Sequence, residues 1–204
     1  MSDISTITFG LQAFVTLLVI LDPPGATPVF LSVLGDRTRR QRTLLAWQAA
    51  GTSLFVITLF ALFGQFIVDY LEISMPALRG AGGLLLLLVS LDLLKGSDFN
   101  GGGGKIPKNL ALVPLGTPLL AGPGAIVTIM LFSQEVSSTS MTFALSLAVL
   151  GAHLIIGITL MFSLGIVKII KESGVALLAK IAGLLTAAIA FEMLMTGIKD
   201  LFAS

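Results

Sequence analysis

The chain has 204 residues, 55% of them hydrophobic and only 11% charged, with a formal net charge of +1 and no cysteine. Its mean hydropathy of +1.02 belongs to a polytopic membrane protein. The absence of cysteine excludes disulfides, thiolate metal sites and cysteine nucleophiles. One histidine and near-zero net charge give no basis for a metal cluster or a nucleic-acid footprint.

The first eight residues, MSDISTIT, hold no Lys or Arg. The hydrophobic stretch behind them therefore lacks the basic flank of a signal peptide and reads as a retained span. Hydropathy predicts six spans, at roughly 9–34, 44–69, 74–95, 110–133, 141–168 and 174–200. The fold class is thus all-α, a single transmembrane domain over residues 1–204. The connection after span one, GDRTRRQRT, carries four Arg; Lys95, Lys105 and Lys108 follow span three, and Lys168, Lys171 and Lys180 follow span five. The other side holds only Arg79 and Lys199. This asymmetry predicts cytoplasmic basic loops and both termini outside.

A Gly-rich linker, 97–109, divides the chain into halves of three spans each, 1–96 and 110–204. LDPPGATP at 21–28 aligns with LAGPGAIV at 120–127, an offset of 99, and RGAGGLLLLLVSLDLLKG aligns with KIAGLLTAAIAFEMLMTG at an offset of 101. Gly64 and Gly165 coincide at the latter offset. Because each half has an odd number of spans, the repeat is expected to be inverted.

Both Pro-Gly-Ala stretches fall near the middle of spans one and four, where proline removes a helical donor and restricts the residue before it. The sequence therefore predicts that these helices stop and restart. Asp22 is placed to cap one restarted helix, and Gly122 with Pro123 to open the other. A restarted helix offers N–H groups to an anion, and the interrupted segment offers carbonyls, near Ile20 and Leu21 or Leu119 and Leu120, to a cation. Such backbone is tolerated at membrane depth only inside protein or beside a wet cavity. The expected ligand is a zwitterion, bound by Asp22, Pro24, Gly25, Ala26 and Thr27 from one break and Gly122, Pro123, Gly124, Ala125 and Ile126 from the other. The small residues among these favour a small neutral amino acid.

Each of the remaining polar residues has a structural reading beside the functional one. Asp22 and Glu192 are candidates for proton coupling, with sodium as the other ion; Asp92 reads as water-facing or paired near Lys95. Arg79 and Lys180, at equivalent places, snorkel to the interface or reach an acid or the substrate carboxylate. His153 is a hydrogen-bonded filler or a proton relay. Thr27 and Thr128 donate to substrate or bond back to their helices. No Gly-x-Ser-x-Gly, His-Glu-x-x-His or Gly-x-Gly-Asp motif is present, so an enzyme is not expected. The alternatives are a facilitative channel for a small solute and a membrane scaffold.

LDPPGATPVFLSVL, PLGTPLLAGPGAIVTIM and RGAGGLLLLLVSLDLL closely resemble the MarC family of prokaryotic integral membrane proteins, which includes SnatA-type small neutral amino acid transporters. The resemblance covers nearly the whole chain apart from the linker and tails. It implies proton-linked transport of glycine, alanine, serine and related amino acids across a cytoplasmic (inner) membrane, without a cofactor. The residues matching the family motifs are Asp22 through Thr27 and Gly122 through Ile126.

Overall fold

A computed structural model of the chain describes residues 5–34, 37–95 and 120–203, apart from the side chains of Ser32, Val33, Asp92 and Glu172. The linker 97–109 and residues 110–119 of the fourth predicted span lie outside the described residues, as do the side chain of Asp92 and Leu119. The described chain is helical throughout: α1 (Thr6–Leu21), α2 (Pro23–Leu34), α3 (Arg39–Tyr70), α4 (Met75–Lys95), α5 (Pro123–Glu135), α6 (Thr139–Met161) and α7 (Ser163–Ala203).

Local chemistry sets most helix starts. Ser5 caps α1 by accepting from the Thr8 N–H at 3.2 Å. Thr38 and Gln41 form a capping box, so α3 begins at Arg39, ahead of the predicted apolar boundary at 44; charged residues continue a helix that hydropathy cannot see. Ser138 caps α6 from the Met141 N–H at 3.2 Å. That helix ends at Met161, short of the predicted 168. Ser163–Ile170 instead opens α7, whose helical path is interrupted at Lys171 (φ 63°, ψ 165°). The apolar run LGIVKII hid this turn from a hydropathy reading.

Among the described residues, five stretches are long and apolar enough to cross a membrane: Thr6–Leu31, Arg39–Tyr70, Met75–Lys95, Thr139–Met161 and Ser173–Ala203. Ile7, Phe55, Leu62 and Phe66 lie exposed on their outer faces, as lipid contact requires. Phe9, Leu17, Phe30, Ile57, Ile129 and Ile156 fill the interior. Phe9 meets Phe132 edge-on, with centroids 5.8 Å apart, joining the start of α1 to the end of α5.

Glycines fix the relative directions of the helices. Gly10 faces Ala144 and Gly151 faces Phe14, so α1 and α6 run parallel. Trp47 covers Gly157 while Ser53 meets His153, so α3 and α6 are antiparallel. The α4–α7 seam is also antiparallel. A β-carbon at Gly83 would lie 2.6 Å from the Leu194 nitrogen, and one at Gly197 would lie 2.5 Å from the Gly80 nitrogen. Those contacts are with backbone, which cannot swing aside; only glycine permits this approach. Finally, α2 rests on α6 and α7, whereas α5 rests on α3 and α4.

Candidate functional site

Between α1 and α2 the helical geometry lapses at one residue, Asp22, whose φ of 43° and ψ of 68° are left-handed. Aspartate tolerates this region better than most residues. Pro23 and Pro24 have no N–H, so the carbonyls of Val19 and Ile20 lose their helical donors. The Val19 carbonyl is reached instead from α7, by the Thr186 hydroxyl at 3.4 Å. The Asp22 N–H donates to the Leu18 carbonyl at 3.2 Å and closes α1.

Asp22 also opens α2. Its Oδ1 accepts from the Gly25 N–H at 3.1 Å, and its carbonyl accepts from the Ala26 N–H at 2.9 Å. Thr27 bonds back to the Pro23 carbonyl at 2.8 Å. The donors expected to be free at Gly25 and Ala26 are therefore bonded, because Asp22 is itself the anion that a helix start attracts. The other carboxylate oxygen, Oδ2, is buried without a hydrogen-bond partner. Asp22 as a whole is 7% exposed. Pro24 lies half-buried beside it, and Gly25, Ala26 and Thr27 are buried.

The start of α5 is built differently. Gly122 occupies the cap position and provides no side-chain cap, and Pro123 takes the first turn. The Ile126 N–H donates to the Gly122 carbonyl at 3.1 Å. Gly124 and Ala125 are buried, Ile126 and Gly122 partly so, and Pro123 is exposed. A β-carbon at Gly124 would lie 2.4 Å from Cδ1 of Leu86 in α4. One turn along, Thr128 is 3% exposed, and its hydroxyl has no hydrogen-bond partner. The two starts thus differ electrically: α2 carries its own counter-charge, and α5 has none.

Thr128 opens onto a cavity of about 320 Å³ between α1, α4, α5 and α7. Gln12 and Thr16 face it from α1, Arg79 from α4, and Glu135 from α5. Glu192 and Thr196, one turn apart on α7, complete the polar lining. Among the residues weighed from sequence, the cavity gathers Arg79, Thr128 and Glu192. It is not lined by Asp22, Pro24, Gly25, Ala26 or Thr27, nor by Gly122 through Ile126. Gln12, Thr16, Glu135 and Thr196 escaped the sequence reading. For three of them the signal was polar residues spaced four apart, Gln12 with Thr16 and Glu192 with Thr196, on one face of an otherwise apolar helix; Glu135, at the end of α5, carried none. Lys180 is exposed away from this cavity.

Arg79 is paired. Its Nη1 lies 3.4 Å from Oδ2 of Asp200 across the α4–α7 seam. His153 is fully engaged elsewhere: its Nδ1 lies 2.8 Å from the Val149 carbonyl, and its Nε2 lies 3.1 Å from Oγ of Ser53. A carbonyl only accepts, so Nδ1 carries the proton and, in the neutral ring, Ser53 donates to Nε2. This hydrogen-bonding pattern ties α3 to α6.

The family model for MarC integral membrane proteins matches residues 7–202. A UPF0056 membrane protein of Methanocaldococcus jannaschii is 35% identical over 201 residues, covering 94% of this chain and 96% of the relative. A UPF0056 membrane protein of Aquifex aeolicus is 28% identical, covering 93% and 92%. The YhcE protein of Escherichia coli is 29% identical, covering 93% and 91%. No solved structure matches the chain. With apolar helices that cross the membrane several times and a family match that runs almost end to end, the chain belongs to the MarC family of integral membrane proteins.

Proposed function

We propose that the protein is a secondary transporter of small neutral amino acids, of the glycine, alanine and serine class, working by alternating access in a prokaryotic cytoplasmic membrane. The observation that carries this reading is the cavity. A bundle with lipid-facing outer surfaces carries an open cleft of about 320 Å³, part apolar through Leu131, Phe132, Ile189 and Met193, whose walls also carry a guanidinium, Arg79, and two exposed carboxylates, Glu135 and Glu192. The buried, unpartnered hydroxyl of Thr128 belongs to a residue that lines it. Opposite charges suit a zwitterion, and the volume sits at the low end of ligand pockets, roughly 300–1,000 Å³.

The helix arrangement supports an inverted repeat. Exchanging α2 with α5, α3 with α6 and α4 with α7 turns the contacts of α2 on α6 and α7 into those of α5 on α3 and α4. The pairs α3–α6 and α4–α7 are each antiparallel, as partners exchanged by an axis in the membrane plane must be. Two such halves supply two related arrangements, one open to each side. In this topology both termini are outside and the cavity faces outward, because the start of α1 and the end of α7 flank it. The breaks at Asp22 and Gly122 then lie deeper, on the path that the substrate takes when the halves rearrange. Asp22, with one buried oxygen uncommitted, is the coupling group for a proton or sodium ion. A carrier of this kind performs no covalent chemistry.

A thermal-shift screen of the purified protein against the twenty amino acids tests the reading. Ligands that bind only the folded state raise Tm by mass action. Glycine, alanine and serine are expected to do so, and acetate and ethylamine are not. A protein stabilised by none of the twenty contradicts it.

A further inference from the structure

The Arg79–Asp200 contact is a poor ion pair in a place that does not need one. It is a single contact of 3.4 Å between side chains 30% and 44% exposed, whereas arginine binds a carboxylate best through two parallel hydrogen bonds near 2.7–2.9 Å. It is also unnecessary for holding α4 to α7. Direct backbone approach at Gly83 and Gly197, and the contact of Gly183 with Ser90 and Leu93, already fix that seam. Arg79 nevertheless lines the same cleft as Thr128 and Glu192. A long side chain on a fixed seam, weakly held at the cavity rim, is set up to change partner.

We propose that Arg79 recognises the substrate carboxylate, and that Asp200 competes with the substrate for its guanidinium. This rests on the transporter reading above and deepens it. The substrate must carry a free carboxylate, which Arg79 grips in the fork geometry that Asp200 does not use. The ammonium is left to Glu135 and Glu192 on the neighbouring walls. Binding breaks the Arg79–Asp200 pair, so the rim contact between α4 and α7 reports occupancy. Lysine cannot replace the arginine fully, because a single ammonium cannot form the paired hydrogen bonds.

Isothermal titration of the purified protein with L-alanine, alaninol and propionate, on wild type, Arg79→Gln, Arg79→Lys and Asp200→Asn, tests this. Wild type is expected to bind alanine and not alaninol, which has no carboxylate. Arg79→Gln should weaken alanine binding about tenfold or more, with Arg79→Lys in between. Asp200→Asn should tighten it severalfold, since the competitor is gone. The opposite signs separate recognition from a structural bridge, which would weaken binding in both variants alike. Equal affinity in Arg79→Gln and wild type overturns the role of Arg79 and leaves the transporter reading standing. Failure of wild type to bind any amino acid overturns that reading itself. Weaker binding in Asp200→Asn overturns the competition.

Discussion

Oδ1 of Asp22 accepts the Gly25 N–H at 3.1 Å, and Oδ2 lies where a side chain on residue 25 would begin. A β-carbon there would sit 1.9 Å from Oδ2. The carboxylate and the glycine therefore define one another: the cap needs the carboxylate folded over the helix start, and that fold needs a residue without a side chain.

Gly25→Ala is accordingly expected to destabilise the protein by about 1–3 kcal/mol, the usual range for forced overpacking. Removing the carboxylate should relieve the clash. Asp22→Gly/Gly25→Ala should therefore be more stable than the sum of the single changes allows, by an amount that a double-mutant cycle reads directly. Additive effects would mean that the two residues do not oppose each other.

Asp22→Asn retains an oxygen that accepts from Gly25 and tolerates left-handed backbone, but removes the charge. It should fold with near-normal stability and exchange alanine across a membrane, while losing uptake driven by an ion gradient. Asp22→Ala removes the cap as well and should cost about 1 kcal/mol. Measured against imposed proton and sodium gradients, unchanged driven uptake in Asp22→Asn would reduce Asp22 to a helix cap.

The α4–α7 seam gives a contrast between glycines. Gly83→Val places its side chain against the backbone of Ala190 and Leu194, and should abolish stable folding or force the helices apart. Gly51→Ala meets nothing within 4 Å and should be neutral, or stabilising by about 0.5–1 kcal/mol, the gain over glycine inside a helix. Unfolding in mixed micelles distinguishes the two.

Much of this was legible before any coordinates. Two consecutive prolines after an aspartate specify a lapse because they delete donors, and the lapse occurs at Asp22. The capping role of Asp22 follows from the same chemistry. What sequence could not reveal is how completely Asp22 satisfies the start of α2, since this depends on a left-handed φ that no local pattern dictates. The cavity was harder still. Its polar lining comes from four helices far apart in sequence, and Gln12, Thr16 and Thr196 each read alone as ordinary polar residues in an apolar run. Residues 110–119 lie outside the described residues, so of the break expected in span four the structure describes only the start of α5, at Gly122 and Pro123.

His153 and Ser53 join α3 to α6 through buried atoms. Ser53→Ala and His153→Phe should each destabilise, with a coupling of about 1 kcal/mol in their double-mutant cycle. The pH profile of transport in His153→Phe should match that of wild type. A shifted profile would make His153 a proton relay.

The central claim is that a small zwitterion is carried by an alternately exposed cavity, and counterflow in proteoliposomes tests it most directly. Vesicles loaded with unlabelled alanine should transiently concentrate external labelled alanine, with saturation, and excess external glycine should suppress the signal. Accumulation that ignores the internal load, or a flux that rises linearly with concentration, would contradict a carrier.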